Sequence, residues 1–235
     1  MKLDSLFSSI KQKILNFLFP PRCVSCGKGG VFFCQKCRNK LIYLQPPLCT
    51  RCSKPIRTGT ICHKCQSQMW DIDGIYSIFK YGGAIRQAII QFKYENIKVL
   101  ADPLSYCMAE YLRKHHLSFD IIIPVPIHKQ RLRERGYNQS SLLARKLSYM
   151  TRMPVVEGVL VRTKHTPSQA KSDNVAQRRK NIKNAFTCVS HDISGKRILL
   201  IDDVCTSGAT LNSCATSLKS AGAASVWGLT LAKEI

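Results

Sequence analysis

Two adjacent aspartates stand between a hydrophobic run and a small polar loop, and their setting indicates a particular chemistry. The run 198–201 is typical of a buried strand, and Asp202 and Asp203 follow it directly. A polar segment around Gly208 comes next, and residues 209–221 have the composition of a helix. A loop that enters a helix presents backbone N–H groups and the positive end of the helix dipole to an anion such as phosphate. The carboxylates would repel a phosphate, so we expect them to bind hydroxyl groups or a divalent cation.

Together the loop and the acid pair predict a ligand with a phosphate at one end and a vicinal diol nearby. This describes phosphoribosyl pyrophosphate (PRPP) bound with Mg²⁺. We expect the loop to bind the 5′-phosphate and the acids to bind the ribose hydroxyls, directly or through the metal. In any catalysis, Asp202 or Asp203 would stabilise positive charge at the anomeric carbon. The alternative is a simple turn and helix cap, but that would not require the whole Thr-Ser-Gly-Ala-Thr run. The predicted PRPP-binding residues are Asp202, Asp203, Val204, Cys205, Thr206, Ser207, Gly208, Ala209 and Thr210.

Eight of the 12 cysteines form four C-x-x-C pairs between residues 23 and 65. One such turn presents two thiolates to a metal ion and two turns complete a tetrahedral site, so four turns predict two Zn²⁺ ions per chain. The spacing is compatible with either sequential or interleaved pairing of the turns. A redox function is the alternative, but a redox C-x-x-C normally opens a helix in a βαβ unit and does not recur in tandem. We expect His63 to be a solvated residue beside the ligands, which are Cys23, Cys26, Cys34, Cys37, Cys49, Cys52, Cys62 and Cys65.

The charge of the chain predicts a polyanionic partner. A formal net charge of +22, from 36 Lys and Arg against 14 Asp and Glu, is far more than solubility requires. A solvated basic face is the alternative for any one of these side chains. The segment 166–186 is polar and long enough to close over a ligand as a flap. The residues that we expect to bind pyrophosphate or DNA are Lys129, Arg131, Arg133 and Arg135, predicted to lie in a loop, and Arg178, Arg179 and Lys180.

From residue 73 onward, strand and helix patterns alternate. This alternation predicts an α/β fold in which a mostly parallel sheet is covered by helices on both faces. Ligands of such sheets bind beyond the carboxyl ends of the strands, where both the acid pair and the basic run are expected. We divide the chain into an N-terminal helix and double zinc ribbon over 1–68 and an α/β domain over 69–235. Strands are predicted at 73–81, 119–125, 155–161, 198–201 and 225–231, and helices at 84–93, 99–114, 138–150 and 209–221.

The sequence also bears on location. No stretch approaches the ~18–20 uninterrupted apolar residues that span a bilayer, and residues 1–21 do not have the pattern of a signal peptide. We therefore expect a cytoplasmic protein, in which the cysteines stay reduced and available to metal.

Several segments occur together in one order along the whole chain. They are Pro20-x-x-Cys, the paired C-x-x-C turns, Tyr81-Gly-Gly-Ala-Ile with Phe92-Lys93-Tyr94, the Pro-x-Pro to Arg-Gly-Tyr-Asn-Gln run of 124–139, Thr166-Pro-Ser-Gln with 178–181, and the Asp-Asp loop. In this combination the chain resembles the ComF (ComFC) competence protein family, which joins a double zinc ribbon to a type I phosphoribosyltransferase-like domain and includes GntX-like relatives. The resemblance implies a cytoplasmic bacterial protein that handles incoming single-stranded DNA during natural transformation. Ser207 stands where Thr is more usual, which preserves the hydroxyl.

Three functions are compatible with these residues. The chain could bind single-stranded DNA and retain the PRPP site for recognition or regulation, could be an active phosphoribosyltransferase in nucleotide salvage, or could be an adaptor for other competence proteins such as a helicase or recombination mediator. The charge favours DNA binding, since PRPP alone does not require it. The acid-pair loop disfavours a pure adaptor, and no base-binding pocket can be identified for salvage. Tyr137, Tyr43 and Trp70 are predicted to stack on DNA bases.

Overall fold

The computed structural model describes residues 21–67, 69–163, 185–190 and 192–235. The predicted N-terminal helix and most of the predicted flap, including Arg178, Arg179 and Lys180, lie outside the described residues. Within them, none of the helices combines the length and apolarity needed to cross a membrane.

Strands and helices alternate in the second part of the chain, as their patterns predict. The zinc-ribbon region contains two short helices, α1 (Gln35–Arg38) and α2 (His63–Gln66). The elements that follow are β1 (Gly74–Lys80), α3 (Gly83–Tyr94), a 3₁₀ turn (Lys98–Leu100), α4 (Ala101–Lys114), β2 (Ile121–Pro124), α5 (Lys129–Arg135), α6 (Gln139–Thr151), β3 (Leu160–Arg162), β4 (Phe186–Cys188), β5 (Arg197–Cys205), α7 (Ala209–Ser220) and β6 (Ser225–Lys233).

Four strands form the central sheet in the order β1–β6–β5–β2, and all three pairings are parallel. Side chains of β5 alternate between its two faces, as strand geometry requires. Leu199 and Ile201 join the hydrophobic cluster that includes α3, α4 and α6, while Ile198 and Leu200 join the cluster that includes α7. Both faces of the strand are therefore covered, which explains its continuous apolar run and confirms the predicted fold class.

The structure differs from the predicted elements in three places. Strand β5 extends through the two aspartates to Cys205, because its pairing with β6 continues to Lys233. The predicted strand at 155–161 is mostly wrong: Val155 makes only an isolated bridge to the central sheet, and the residues from 160 onward form the antiparallel β3–β4 pair. The basic run 129–135 is the helix α5 and not a loop.

The zinc-ribbon region packs against the outer edge of the sheet. The backbone N–H of Leu44 donates to the carbonyl of Ile78 (2.9 Å), and that of Lys80 donates to the carbonyl of Ile42 (2.8 Å). Farther along the same edge, the N–H of Ile75 donates to a ribbon carbonyl at 3.1 Å. These contacts cover β1, whose exposed backbone groups would otherwise be free to pair with another chain.

Candidate functional site

The eight paired cysteines form two compact groups. Within each group, all four sulfur atoms lie within 4.8 Å of one another. The pairing of the turns is sequential, and His63 belongs to neither group. Four thiols at this separation fit the tetrahedral sulfur coordination of structural zinc. The groups are Cys23, Cys26, Cys34 and Cys37, and Cys49, Cys52, Cys62 and Cys65.

Backbone hydrogen bonds prepare one thiol in each group to lose its proton. The N–H of Cys34 donates to Sγ of Cys23 (3.4 Å), and that of Cys62 donates to Sγ of Cys49 (3.3 Å). Burial opposes ionisation, but these and neighbouring N–H groups outweigh it, lowering the pKa of Cys23 to about 6 and that of Cys49 to about 7. Thiolates are the form that binds metal, so Cys23 and Cys49 are prepared as metal ligands.

Asp203 is held by a cation that the sequence pattern does not assign to the site. Its side chain is buried, and its carboxylate lies 2.6 Å from the ammonium of Lys93 at the end of α3. Burial alone would lower the pKa of Lys93, but the charge of Asp203 outweighs burial and raises it. In the sequence, Lys93 lies between two aromatic residues at the end of a predicted helix. Only the packing of α3 beside β5 shows its role.

Asp202 has a different environment from its neighbour. Its Oδ1 accepts hydrogen bonds from the Ser140 hydroxyl (3.1 Å) and from the backbone N–H of Asp203 (2.9 Å). Burial, with the adjacent charge of Asp203, nevertheless raises the pKa of Asp202 to about 7. One acid of the pair is therefore fixed by an ion pair, and the other is poised to exchange a proton near neutral pH.

The start of α6 connects the basic segment to the acids. Asn138 caps this helix, since its side chain accepts from the N–H of Ser140 (3.0 Å) and donates to the carbonyl of Val125 (3.0 Å). Gln139 is buried and accepts from the guanidinium of Arg135 at 2.9 Å. The cap thus places Ser140 against Asp202, and the hydrogen bond between Arg135 and Gln139 ties the end of α5 to the start of the same helix.

The loop between β5 and α7 has the backbone shape of an anion-binding turn. Gly208 caps α7 with φ +81°, a left-handed conformation, and a Cβ there would lie 2.9 Å from the ring of Trp70. Both features require glycine at this position. The buried ammonium of Lys233 donates to the carbonyl of Thr206, which places a positive charge beside the loop. The backbone, this cation and the helix dipole all favour an anion at the loop.

The other residues predicted to bind PRPP differ in how far their side chains are exposed to a ligand at this loop. The side chains of Val204 and Cys205 pack in the hydrophobic core, so only their backbones can serve a ligand. Thr206 is exposed, and Ser207, Ala209 and Thr210 are half-buried.

Helix α5 divides the predicted basic residues between two faces. Arg131 and Arg135 lie four residues apart on one face and line a pocket of about 240 Å³, together with Lys93, Tyr94, Asn96 and Glu134. Lys129 and Arg133 point away and are exposed. Because Lys93 also contacts Asp203, this pocket adjoins the acid pair. The structure therefore places two of these four cations beside the site and leaves the other two outside it.

The three aromatic residues proposed to stack on bases have different environments. Tyr137 is only 7% exposed and its hydroxyl donates to the carbonyl of Phe92, so its prediction as a stacking residue is wrong. Trp70 is half-buried beneath the loop glycine. Tyr43 is exposed beside the sheet edge, with its ring centroid 4.7 Å from that of Phe79.

Comparison with known proteins agrees with both parts of this architecture. Residues 14–66 match the double zinc ribbon domain family, and residues 133–234 match the phosphoribosyl transferase domain family. The chain is 32% identical to "Competence protein F" of Haemophilus influenzae over 84% of its own length and 96% of that protein. It is 26% identical to "Competence protein ComFC" of Bacillus subtilis (86% and 84% covered) and 28% identical to "DNA utilization protein YhgH" of Escherichia coli O157:H7 (86% and 90% covered).

Proposed function

We propose that this chain, which belongs to the competence protein F (ComFC) family, binds PRPP with Mg²⁺ and handles single-stranded DNA in the cytoplasm during natural transformation. One observation carries the ligand-binding part of the proposal. Asp202 and Asp203 lie near the carboxyl end of the central strand β5, and the chain then passes through the Thr206–Gly208 turn into α7. This arrangement supports a phosphate ligand and a diol ligand at adjacent positions.

In this proposal each part of the site has a separate task. The loop N–H groups and the hydroxyls of Thr206, Ser207 and Thr210 bind the 5′-phosphate, with the ammonium of Lys233 supporting the turn. Asp202 and Asp203 bind the ribose hydroxyls or the metal shell, since carboxylate oxygens are ligands that Mg²⁺ accepts. When bound, Mg²⁺ would supply charge neutralisation at the pyrophosphate group.

Single-stranded DNA is the polyanion that best accounts for the charge. A net charge of +22 exceeds what PRPP alone would require, and Lys and Arg contacts to phosphates provide most of the affinity in sequence-independent DNA binding. The names of the relatives, which refer to competence and DNA utilization, support a role that involves DNA. Sequence preference is expected to be weak.

Calorimetry with PRPP tests the ligand site. Wild type should bind PRPP in the presence of Mg²⁺, and the variant that carries both Asp202→Ala and Asp203→Ala should lose that binding. Asp192→Ala is a matched control, because it removes one exposed acid in the turn before β5. Equal PRPP affinity for wild type and the double variant would contradict the assignment. The same preparations should be titrated with an oligonucleotide, so that the two ligands are measured on one protein.

Active phosphoribosyl transfer in nucleotide salvage is the second candidate, favoured by the phosphoribosyl transferase match over 133–234. A genetic comparison separates the two functions. A strain that lacks the gene should fail to transform under the DNA proposal. A deletion strain that transforms at the wild-type rate but cannot use a nucleobase would instead support salvage.

A further inference from the structure

An exposed tyrosine stands at the pocket beside the acid pair. Tyr94 is the last residue of α3 and is 68% exposed, although it adjoins the buried Lys93–Asp203 ion pair. The guanidinium of Arg135 lies over its ring, 4.9 Å from the centroid. A large aromatic side chain exposed beside cations is typical of surfaces that stack nucleic-acid bases.

The turn after α3 positions this residue. Asn96 has φ +57°, and its carbonyl accepts a hydrogen bond from the N–H of Lys98 (2.9 Å). The left-handed conformation is uncommon outside glycine, although Asn tolerates it better than most residues. The tight turn also places the ammonium of Lys98 over the ring of Tyr137, 5.1 Å from its centroid. The buried Tyr137 therefore supports the pocket, whereas Tyr94 provides the aromatic surface that is exposed in it.

The charges that line the pocket favour a phosphate. With Lys93 paired to Asp203, the lining retains the guanidiniums of Arg131 and Arg135 and the carboxylate of Glu134. Glu134 accepts a hydrogen bond from the side chain of Gln130 at 3.0 Å. The pocket therefore keeps a net positive charge, and guanidinium groups suit the planar recognition of phosphate oxygens.

We propose that this pocket is a nucleotide slot for single-stranded DNA, in which one base stacks on Tyr94 and an adjoining phosphate binds Arg131 and Arg135. This inference rests on the proposed DNA function and assigns it a location beside the PRPP site. Stacking accepts any base, because every base has an aromatic face. The slot would give the strand a fixed contact without sequence readout.

Binding of a labelled mixed-sequence oligonucleotide, measured by fluorescence anisotropy over a series of salt concentrations, tests the slot. Tyr94→Ala should weaken binding roughly five- to 150-fold at every salt concentration, the range expected for loss of one base–aromatic stack. Tyr94→Phe should bind like wild type, because the ring remains. Tyr149→Ala is the matched control, since Tyr149 is 87% exposed on α6 and does not line the pocket.

The salt dependence separates stacking from phosphate binding. Tyr94→Ala should leave the log–log salt slope unchanged, whereas replacing both Arg131 and Arg135 with alanine should reduce its magnitude by about 0.7, the amount expected when one phosphate is no longer neutralised. Circular dichroism of each variant checks that the fold is retained. Photocrosslinking with 5-iodouracil DNA should label the peptide that contains Tyr94.

The outcomes distinguish this inference from the function on which it rests. If wild type does not bind the oligonucleotide at moderate salt, the DNA function itself is refuted, and the slot with it. If wild type binds but Tyr94→Ala binds equally well, only the slot is refuted. The slot would also be refuted if the double arginine variant lost binding of inorganic pyrophosphate but kept binding of DNA. That result would show that the pocket binds free phosphate groups and not the DNA strand.

Discussion

Replacing Lys93 with methionine removes the cation that holds Asp203, and we expect this one change to destabilise the α/β part of the chain. The two charged groups lie 2.6 Å apart, with 21% of the lysine side chain and 7% of the aspartate side chain exposed. Breaking a buried ion pair from one side costs about 3–5 kcal/mol, because the remaining charge has no partner. Since Lys93 retains some exposure, we expect a value near the lower end, about 3 kcal/mol. For a chain of this size, that corresponds to a melting temperature lower by roughly 6–12 °C.

Urea unfolding followed by tryptophan fluorescence measures this loss. The ring of Trp227 stacks on that of Tyr76 with a centroid distance of 5.1 Å, so its emission reports on the β1–β6 part of the sheet. Lys146→Met is the matched control: it breaks the ion pair with Asp102, whose atoms lie 2.7 Å apart but whose side chains are both about half exposed. An exposed pair contributes only about 0–1 kcal/mol.

A second substitution tests whether the unpaired charge causes the loss. Adding Asp203→Asn to Lys93→Met removes the isolated carboxylate, so it should recover most of the stability. Two results would refute this reasoning. One is a Lys93→Met variant that is no less stable than Lys146→Met, and the other is a double variant that is no more stable than Lys93→Met alone.

Three further predictions concern the metal, the loop and the acid pair. Metal analysis of freshly purified, reduced protein should find two zinc ions per chain, and absence of zinc would contradict this prediction. Circular dichroism should show that Cys23→Ser or Cys62→Ser unfolds the ribbon while most of the α/β part stays folded. Gly208→Ala should lower stability by about 1–3 kcal/mol in thermal unfolding, because φ is +81° and the new methyl group would meet Trp70; unchanged stability would contradict it. Burial raises the pKa of Asp202 to about 7, so the fraction of Asp202 that is ionised increases as pH rises. PRPP affinity with Mg²⁺, measured by calorimetry, should therefore increase from about pH 6 to about pH 8. Asp202→Asn should lack this contribution, and identical pH profiles for the two proteins would count against the prediction.

Features that depend on local spacing can be predicted from the sequence. A C-x-x-C turn brings two sulfurs together whatever the rest of the fold does, so spacing alone identifies the ribbon cysteines. The acid pair and the Thr206–Gly208 turn are equally recognisable, because the strand, loop and helix are consecutive in the chain. The two-faced burial of the sheet also follows from continuous apolar runs between helical segments.

The boundaries of helices and strands, and the exposure of particular side chains, depend on tertiary packing that local sequence patterns do not record. The charges of the run 129–135 indicate exposure and favour a loop, but the left-handed Gly136 ends a short helix there. That helix decides which of the arginines line the pocket. Tyr137 follows immediately and is buried against α3, although its place beside basic residues favours a DNA contact.

The sequence by itself determined the chemical groups of this protein: eight metal-binding thiols, two carboxylates before a phosphate-type turn, and a large excess of positive charge. Only the tertiary structure decided how they are partnered. It paired the cysteine turns sequentially, brought Lys93 to Asp203 from a distant part of the chain, and placed Ser140 on Asp202. The physical reason is that ion pairing, burial and pKa depend on distances through space, and these are set by how α3 and α6 pack on β5. Local periodicity specifies those helices but not the side chains that meet where they pack.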